Sequence, residues 1–290
     1  MNGIIIKGIG GFYYVKSEEK IYECKARGIF RKDKHKPYIG DYVEITIDQN
    51  EKGAIEEIYP RKNVLIRPPI SNITQNIVVS AVVQPAINLH FVNNILVYSE
   101  HLDIKNVLCF NKSELINEEQ KEEIREHFIN TNYKILFTSV KEQTGLQELK
   151  DMLRGNINVF SGASGVGKSS LLNSLMPQNK AETGEISSKI ERGKHTTRHV
   201  ELFELEENTY IADTPGFSNI NGAQEIELEE LMESFPEFSD LLGQCKFNSC
   251  VHDREPNCAI KEAVENGEIA SSRYSSYIEM LHSIKATKKY

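Results

Sequence analysis

Gly162-Ala163-Ser164-Gly165-Val166-Gly167-Lys168-Ser169 reads G-x-x-x-x-G-K-[ST], and this stretch decides the fold of the chain. The run Asn158–Ser161 before it has strand composition, and a helical pattern begins at about Lys168. A phosphate cradle needs that context. Glycines let successive backbone N–H groups turn inward around phosphate oxygens, and a helix start adds the positive end of its dipole. In such a loop Lys168 reaches the β- and γ-phosphates and the Ser169 hydroxyl ligates Mg²⁺. Ser170 follows on the same turn. The bland alternative is a Gly-rich turn carrying a chance Lys-Ser pair, but every fixed position is matched between a strand and a helix. By itself the loop calls for a nucleoside triphosphate and does not choose the base.

Outward from the loop, strand and helix signals alternate. Asn76–Val83, Asn106–Phe110 and Tyr133–Phe137 read as strands. Phe91–His101, Glu118–Ile129 and Leu146–Leu153 carry helical spacing. The fold class is α/β, and such alternation predicts a mostly parallel sheet covered by helices, assigned to residues 67–222. Residues 1–66 differ. Gly3–Gly8, Gly11–Val15, Lys20–Cys24, Asp41–Ile47 and Gly53–Ile58 are short β-branched or aromatic runs between turn residues, which suits an OB-type barrel. Pro60 and Pro68-Pro69 bracket the exit. Residues 223–290 hold an acidic helical stretch (Glu225–Glu233), a Cys-rich knot, and helices around Ala259–Asn266 and Ser271–Lys285.

Composition narrows the class. With 290 residues, 39% hydrophobic and 26% charged, the chain can bury cores and is neither a fibre nor a disordered tail. No apolar run approaches the roughly 18–20 residues of a membrane span. The apolar start Ile4-Ile5-Ile6 is too short for a signal peptide, so the cytoplasm is the expected compartment. Net charge is +2 over residues 1–66, −4 over 67–222 and −6 over 223–290, for −8 in all. That excludes a uniformly basic nucleic-acid binder while leaving room for a local basic patch.

Asn111-Lys112-Ser113-Glu114 follows the strand ending at Phe110 and resembles the guanine-reading N-K-x-D element of the GTPase superfamily. The resemblance implies a carboxylate that accepts hydrogen bonds from guanine N1 and N2. Here the acid is Glu114, one methylene longer than the family's Asp. The tetrapeptide alone would also serve as an ordinary strand-to-helix turn. Ser139-Val140-Lys141 resembles the S-A-K element that contacts guanine O6. Asp213-Thr214-Pro215-Gly216 resembles the D-x-x-G switch II element, with Asp213 toward Mg²⁺ and Gly216 toward the γ-phosphate. Gly193-Lys194-His195-Thr196-Thr197-Arg198 lies where a switch I threonine would close over Mg²⁺; Thr197 is the first candidate and Thr196 the second. Phe217 stands where many GTPases carry the water-orienting glutamine. His195 is the nearest polar substitute by sequence, although a histidine beside two threonines is commonly just solvated.

The order of these elements is unusual. In ordinary GTPases the phosphate loop comes first; here the guanine-reading elements at 111 and 139 precede it. The chain resembles a circularly permuted GTPase, whose switch II leads straight into the C-terminal segment.

Five cysteines argue against a disulfide framework. Cys245-x4-Cys250-x-His252-x5-Cys258 offers three thiolates and an imidazole within fourteen residues. A Cys₃His set is a closed structural zinc site, one ion per chain, with no open position for catalysis. A second cluster is basic. Lys25, Arg27, Arg31, Lys32, Lys34 and Lys36 face a single Asp33, with Phe30 and His35 interleaved. Charge runs are usually solvated loops. On an OB barrel, cations beside an aromatic also suit an RNA backbone and an unstacked base.

The barrel with Gly40-Asp41-Tyr42-Val43, the permuted GTPase with G-K-H-T-T and D-T-P-G-F, and the Cys-x4-Cys-x-His-x5-Cys knot together strongly resemble the bacterial small-ribosomal-subunit-dependent GTPase (RsgA/YjeQ) family. The resemblance covers essentially the whole chain. It implies a GTP- and Mg²⁺-using, zinc-stapled, monomeric factor in late maturation of the small subunit. Such a factor binds the subunit and its rRNA, is stimulated by it, leaves after hydrolysis, and meets other small-subunit assembly factors. Glu114 for Asp and Val140 for Ala are the departures, both in base recognition. Two other readings compete: a P-loop ATPase of another class, and an RNA-binding adaptor that holds nucleotide without turnover.

Overall fold

The computed structural model describes residues 1–28, 30, 36–49, 51–66, 69–176, 201–212 and 226–287. They fall in two compact units, each assembled from separated stretches: Met1–Asn76 with Gln147–Phe160 and Ser169–Ser218, and Ile77–Leu146 with Ser161–Lys168 and Asn219–Tyr290.

The first unit contains the barrel. Strands β1 (Asn2–Ile9), β2 (Phe12–Ser17), β3 (Lys20–Ala26), β4 (Tyr42–Ile47) and β5 (Gly53–Ile58) close in the order β1-β2-β3-β5-β4. The β3–β5 pair is parallel, and β1 meets β4 antiparallel to complete the ring. This is the OB-type arrangement expected from five short strands, and closure leaves no exposed edge. Alternating residues point inward: Ile5, Val15, Cys24, Val43, Ile45 and Ile55 form one buried cluster. Asp41 in the G-D-Y-V segment is fully buried and ties the barrel to its exit. Its carboxylate accepts two hydrogen bonds from Arg61, at 2.7 Å each, one from Ser71 Oγ at 2.6 Å and one from the Tyr38 backbone N–H at 2.7 Å. Arg61 also stacks over Tyr38, 4.2 Å from the ring centroid. Beyond the barrel come the short strands β6 (Val64–Ile66) and β7 (Pro69–Ser71), paired antiparallel.

The second unit holds β8 (Gln75–Ala81) for nearly its whole length, then α1 (Leu89–His101), β9 (Lys105–Asn111), α2 (Glu118–Glu126) and β10 (Lys134–Thr138). Its strands run β10-β9-β8, with β10 and β9 parallel. All of β8 is buried, the mark of a strand covered on both faces. Helix α2 begins at a capping box on Asn117 and Gln120 and ends short of the expected Ile129. Its last turn tightens into bonds from Phe128 N to Arg125 O and Ile129 N to Glu126 O, and Asn130 and Asn132 are left-handed.

Helix α3 (Leu146–Leu153), strand β11 (Ile157–Ser161) and helix α4 (Lys168–Leu175) follow in the chain. Strand β12 (Leu202–Glu206), hidden in the acidic run 201–207, pairs antiparallel with β13 (Thr209–Ala212); β13 is parallel to β11. The remaining elements are α5 (Leu228–Glu233), a 3-10 turn (Pro236–Leu241), α6 (Ala259–Glu265) and α7 (Ser271–Thr287). The fold is α/β with an OB-type barrel and a helical, cysteine-bearing C-terminal region.

Candidate nucleotide site and metal centre

The phosphate loop leaves the end of β11 and enters α4 at Lys168. Two of its glycines are sterically required. A Cβ on Gly162 (φ +136°) would lie 2.0 Å from Val79 O, and one on Gly167 (φ +98°) would lie 2.3 Å from Asn111 Nδ2. The loop is therefore pressed against the ends of β8 and β9. Lys168 Nζ donates to Gly162 O and Ala163 O, at 2.7 Å each, and burial lowers its pKa. Val166 is buried, while Ser164, Gly165, Ser169 and Ser170 are exposed. An ammonium held by carbonyls at the rim of an exposed loop can exchange those partners for phosphate oxygens at little structural cost.

Asn111 and Lys112 reach the same loop. Asn111 is buried at the end of β9; its Nδ2 donates to Val166 O at 3.0 Å, and its Oδ1 accepts from Thr138 Oγ1 at 3.3 Å. Lys112 is left-handed (φ 63°) and donates to Gly165 O at 3.1 Å and to Gln84 O. The tetrapeptide 111–114 and the glycine-rich loop, 55 positions apart at Asn111 and Val166, thus form one hydrogen-bonded body. Thr138 and the Gln84 carbonyl belong to this support. Thr138 ends β10 and Gln84 lies in the turn after β8, and neither carries a further sequence signal.

Glu114 sits in a 3-10 turn after β9. The Ser139 side chain bonds its carboxylate and lowers its pKa, with smaller help from Lys141 and Lys112. Its Oε2 is buried and has no hydrogen-bond partner among the described residues. An ionised carboxylate with one oxygen shielded but unmatched among the described residues fits a ligand that brings N–H donors, as guanine does. Ser139 itself is fully buried. It is fixed by paired backbone bonds with Thr144 and accepts from Glu142 N through Oγ. Val140 is half-buried beside it, its carbonyl accepting from Gln143. His195, Thr196, Thr197, Asp213, Gly216 and Phe217 lie outside the described residues.

At the knot, Cys245, Cys250, His252 and Cys258 place their ligand atoms within 4.8 Å of one another. His252 Nδ1 stands 3.5, 3.5 and 3.3 Å from the sulfurs of Cys245, Cys250 and Cys258, and the Cys245 and Cys258 sulfurs are 3.8 Å apart. A tetrahedral zinc, with sulfur at about 2.3 Å and nitrogen at about 2.0–2.1 Å, requires separations of about 3.5 Å for S···N and about 3.8 Å for S···S. The donor set fits one zinc. Burial pushes the Cys250 thiol up to about 12, raises Cys258, and lowers His252. The imidazole is thus kept neutral, as a ligand must be, while the thiols need a cation to ionise. Tyr274 and Tyr277 of α7 hold the knot's backbone through hydroxyl bonds to His252 O (2.8 Å) and Val251 O (2.7 Å). Neither tyrosine stands in a motif with a recognisable spacing.

In the basic arm, Lys25 lies over the Phe12 ring, 4.8 Å from its centroid. Arg27 pairs with Glu56 at 2.7 Å yet stays largely exposed. Lys36 is exposed, and its carbonyl accepts from Arg61. Arg31, Lys32 and Lys34 lie outside the described residues.

Comparison with known proteins decides the family. Residues 58–223 match the family described as RsgA GTPase, and residues 2–55 match the RsgA N-terminal domain. The chain belongs to the RsgA GTPase family. A Clostridium acetobutylicum relative called small ribosomal subunit biogenesis GTPase RsgA is 48% identical over 290 residues, covering all of both chains. One of the same name from Clostridium botulinum (strain 657) is 47% identical over 291 residues, 100% of this chain and 99% of its own. The crystal structure of YloQ, a circularly permuted GTPase, superposes with a TM-score of 0.84 at 37% identity, covering 100% of this chain and 96% of YloQ. YjeQ from Thermotoga maritima gives 0.83 at 38%, covering 98% of each chain. As a member of this family the chain is a circularly permuted GTP hydrolase that uses Mg²⁺. No helix among the described residues is long and apolar enough to cross a membrane.

Proposed function

We propose that this GTPase acts in late maturation of the small (30S) ribosomal subunit. It binds the subunit and its rRNA, is stimulated by it, and leaves after hydrolysis. The names of its full-length relatives support the partner. One observation carries the site assignment: the phosphate loop is bonded to Asn111 and Lys112 beside the unmatched Glu114 oxygen. Triphosphate and guanine would thus be read by one rigid body.

In this reading the backbone of residues 162–167 cradles the phosphates. Lys168 neutralises developing charge on them, and Ser169 and Ser170 lie at the helix start behind. Glu114 accepts from the guanine ring while Ser113, Ser139 and Val140 line its rim. Ser169 and Thr197, with Asp213, would hold Mg²⁺, which would supply charge neutralisation to the phosphates. Gly216 senses the γ-phosphate. His195 takes the water-orienting role that Phe217 cannot. Lys25, Arg27, Arg31, Lys32, Lys34 and Lys36 contact rRNA. The working parts are residues 1–66, 67–222 and 223–290, in a cytoplasmic monomer that meets other assembly factors on the subunit.

GTP turnover measured with purified small subunits, with large subunits and with neither tests the reading. Slow intrinsic hydrolysis with strong stimulation by small subunits alone is expected. Equal turnover in all three arms refutes it, and equal use of ATP refutes the base assignment.

A further inference from the structure

The β12–β13 hairpin closes at Glu207-Asn208 and opens at the pair Leu202↔Ala212. The two segments read above as switches, 193–198 and 213–216, flank this hairpin in the sequence. Thr197 lies four positions before Glu201, and Asp213 directly follows Ala212. The barrel reaches the same end. Lys7 of β1 and Glu201 form an antiparallel backbone bridge, and Lys7 Nζ donates to Glu201 Oε1 at 3.0 Å. One strand further on, Lys16 of β2 pairs with Glu204 of β12. The side chains are 26% and 22% exposed in the first pair and 18% and 26% in the second, so solvent and salt screen them less than open surface pairs.

We propose that these two ion pairs form a clasp that couples the barrel to GTP turnover. Lys7 and Lys16 are positioning residues. They touch no reacting atom, but through Glu201 and Glu204 they fix the strand end from which both switch segments depart. RNA loaded on the barrel then biases the switches. By linkage, the bound nucleotide biases the barrel equally. The first half of that statement rests on the ribosomal reading above; the second does not.

The test uses the full chain with Lys7→Glu, with Glu201→Lys, and with both, which restores the pair in reverse. Hydrogen exchange of the β1 amides is compared with GDP and with a non-hydrolysable GTP analogue. Coupling energies of the usual size correspond to about 5–150-fold, and at least about a fivefold change in exchange is expected in the parent and the double swap, with little in either single. Stimulation by small subunits should follow the same pattern, with basal turnover unchanged. If a single swap does not fold, Lys7→Met and Glu201→Gln remove the pair without a like-charge clash and carry the same readout. The clasp is refuted if β1 does not respond in the parent, if the singles respond as the parent does, or if the double swap behaves like the singles. If β1 responds but small subunits do not stimulate the parent, the ribosomal reading fails and the clasp stands.

Discussion

At the residue scale, two positions test the nucleotide site. Gly167→Ala would put a methyl 2.3 Å from Asn111 Nδ2 at a φ of +98°. The loop and Asn111 cannot both keep their places, so GTP affinity should fall at least tenfold, on the order of 1.4 kcal/mol or more, with the strained backbone also lowering the thermal midpoint. Titration with a fluorescent guanine nucleotide, alongside a melt, separates the two effects. Glu114→Ala should lose one or two hydrogen bonds to a charged acceptor, about 1.5–3 kcal/mol each, and leave ATP affinity unchanged. The Ser139 side chain is the main cause of the lowered Glu114 pKa. A depressed carboxylate pKa keeps the ionised form, and with it guanine affinity, down to lower pH. Ser139→Ala lets the pKa rise, so the acid-side fall in GTP affinity should begin at higher pH than in the parent. An unshifted acid limb would mean that Ser139 does not hold the carboxylate.

At the scale of elements, the C-terminal helices depend on two polar centres. Removal of one zinc by a chelator should loosen residues 245–258, read as faster amide exchange there with β1–β5 unchanged. Cys250→Ser should weaken zinc binding by more than about 100-fold, beyond the 10–100-fold typical of an outer-shell change. The other centre is Arg273 of α7. It is fully buried, forked onto Glu237 at 2.6 and 3.0 Å, bonded to Asn93 of α1 at 3.0 Å, and stacked over Phe235 at 4.6 Å. Burial opposes its charge, but Glu237 and Tyr133 together outweigh burial and hold the guanidinium protonated. Arg273→Met leaves Glu237 charged in an apolar setting and should cost about 3–5 kcal/mol. Arg273→Met with Glu237→Leu should recover most of that. Denaturant unfolding of the two variants checks the sign; equal losses would mean that the pair is not the source.

At the scale of the whole molecule, the proposed rRNA contact falls on the barrel segment, whose net charge of +2 contrasts with −6 at the C-terminus. Neutralising Lys25, Arg27, Arg31 and Lys32 together should reduce stimulation by small subunits while leaving nucleotide affinity intact. Each lost phosphate contact should flatten the log–log salt dependence of subunit binding by about 0.7–0.9 unit. A quadruple variant with unchanged stimulation and slope would make the arm a solvated loop.

Whatever rests on local chemistry can be read along the chain. A strand, glycines and a lysine at fixed offsets specify a phosphate loop, and three cysteines and a histidine within fourteen residues specify a metal. Five short alternating runs specify a small barrel, because each signal lies within one element or its turn. What depends on distant pairings emerges only when the chain is folded. The acidic strand β12 carries weak strand propensity and exists because β13 pairs with it. Asn111 became a brace for the phosphate loop because β9 ends beside it. Arg273 looks like any helical arginine until α7 packs on α1 and the 3-10 turn brings Glu237 to it. Lys7 and Glu201, 194 positions apart, became partners when the barrel closed and laid β1 against β12. Desolvation and backbone pairing set these contacts, and neither leaves a pattern that can be read along the chain.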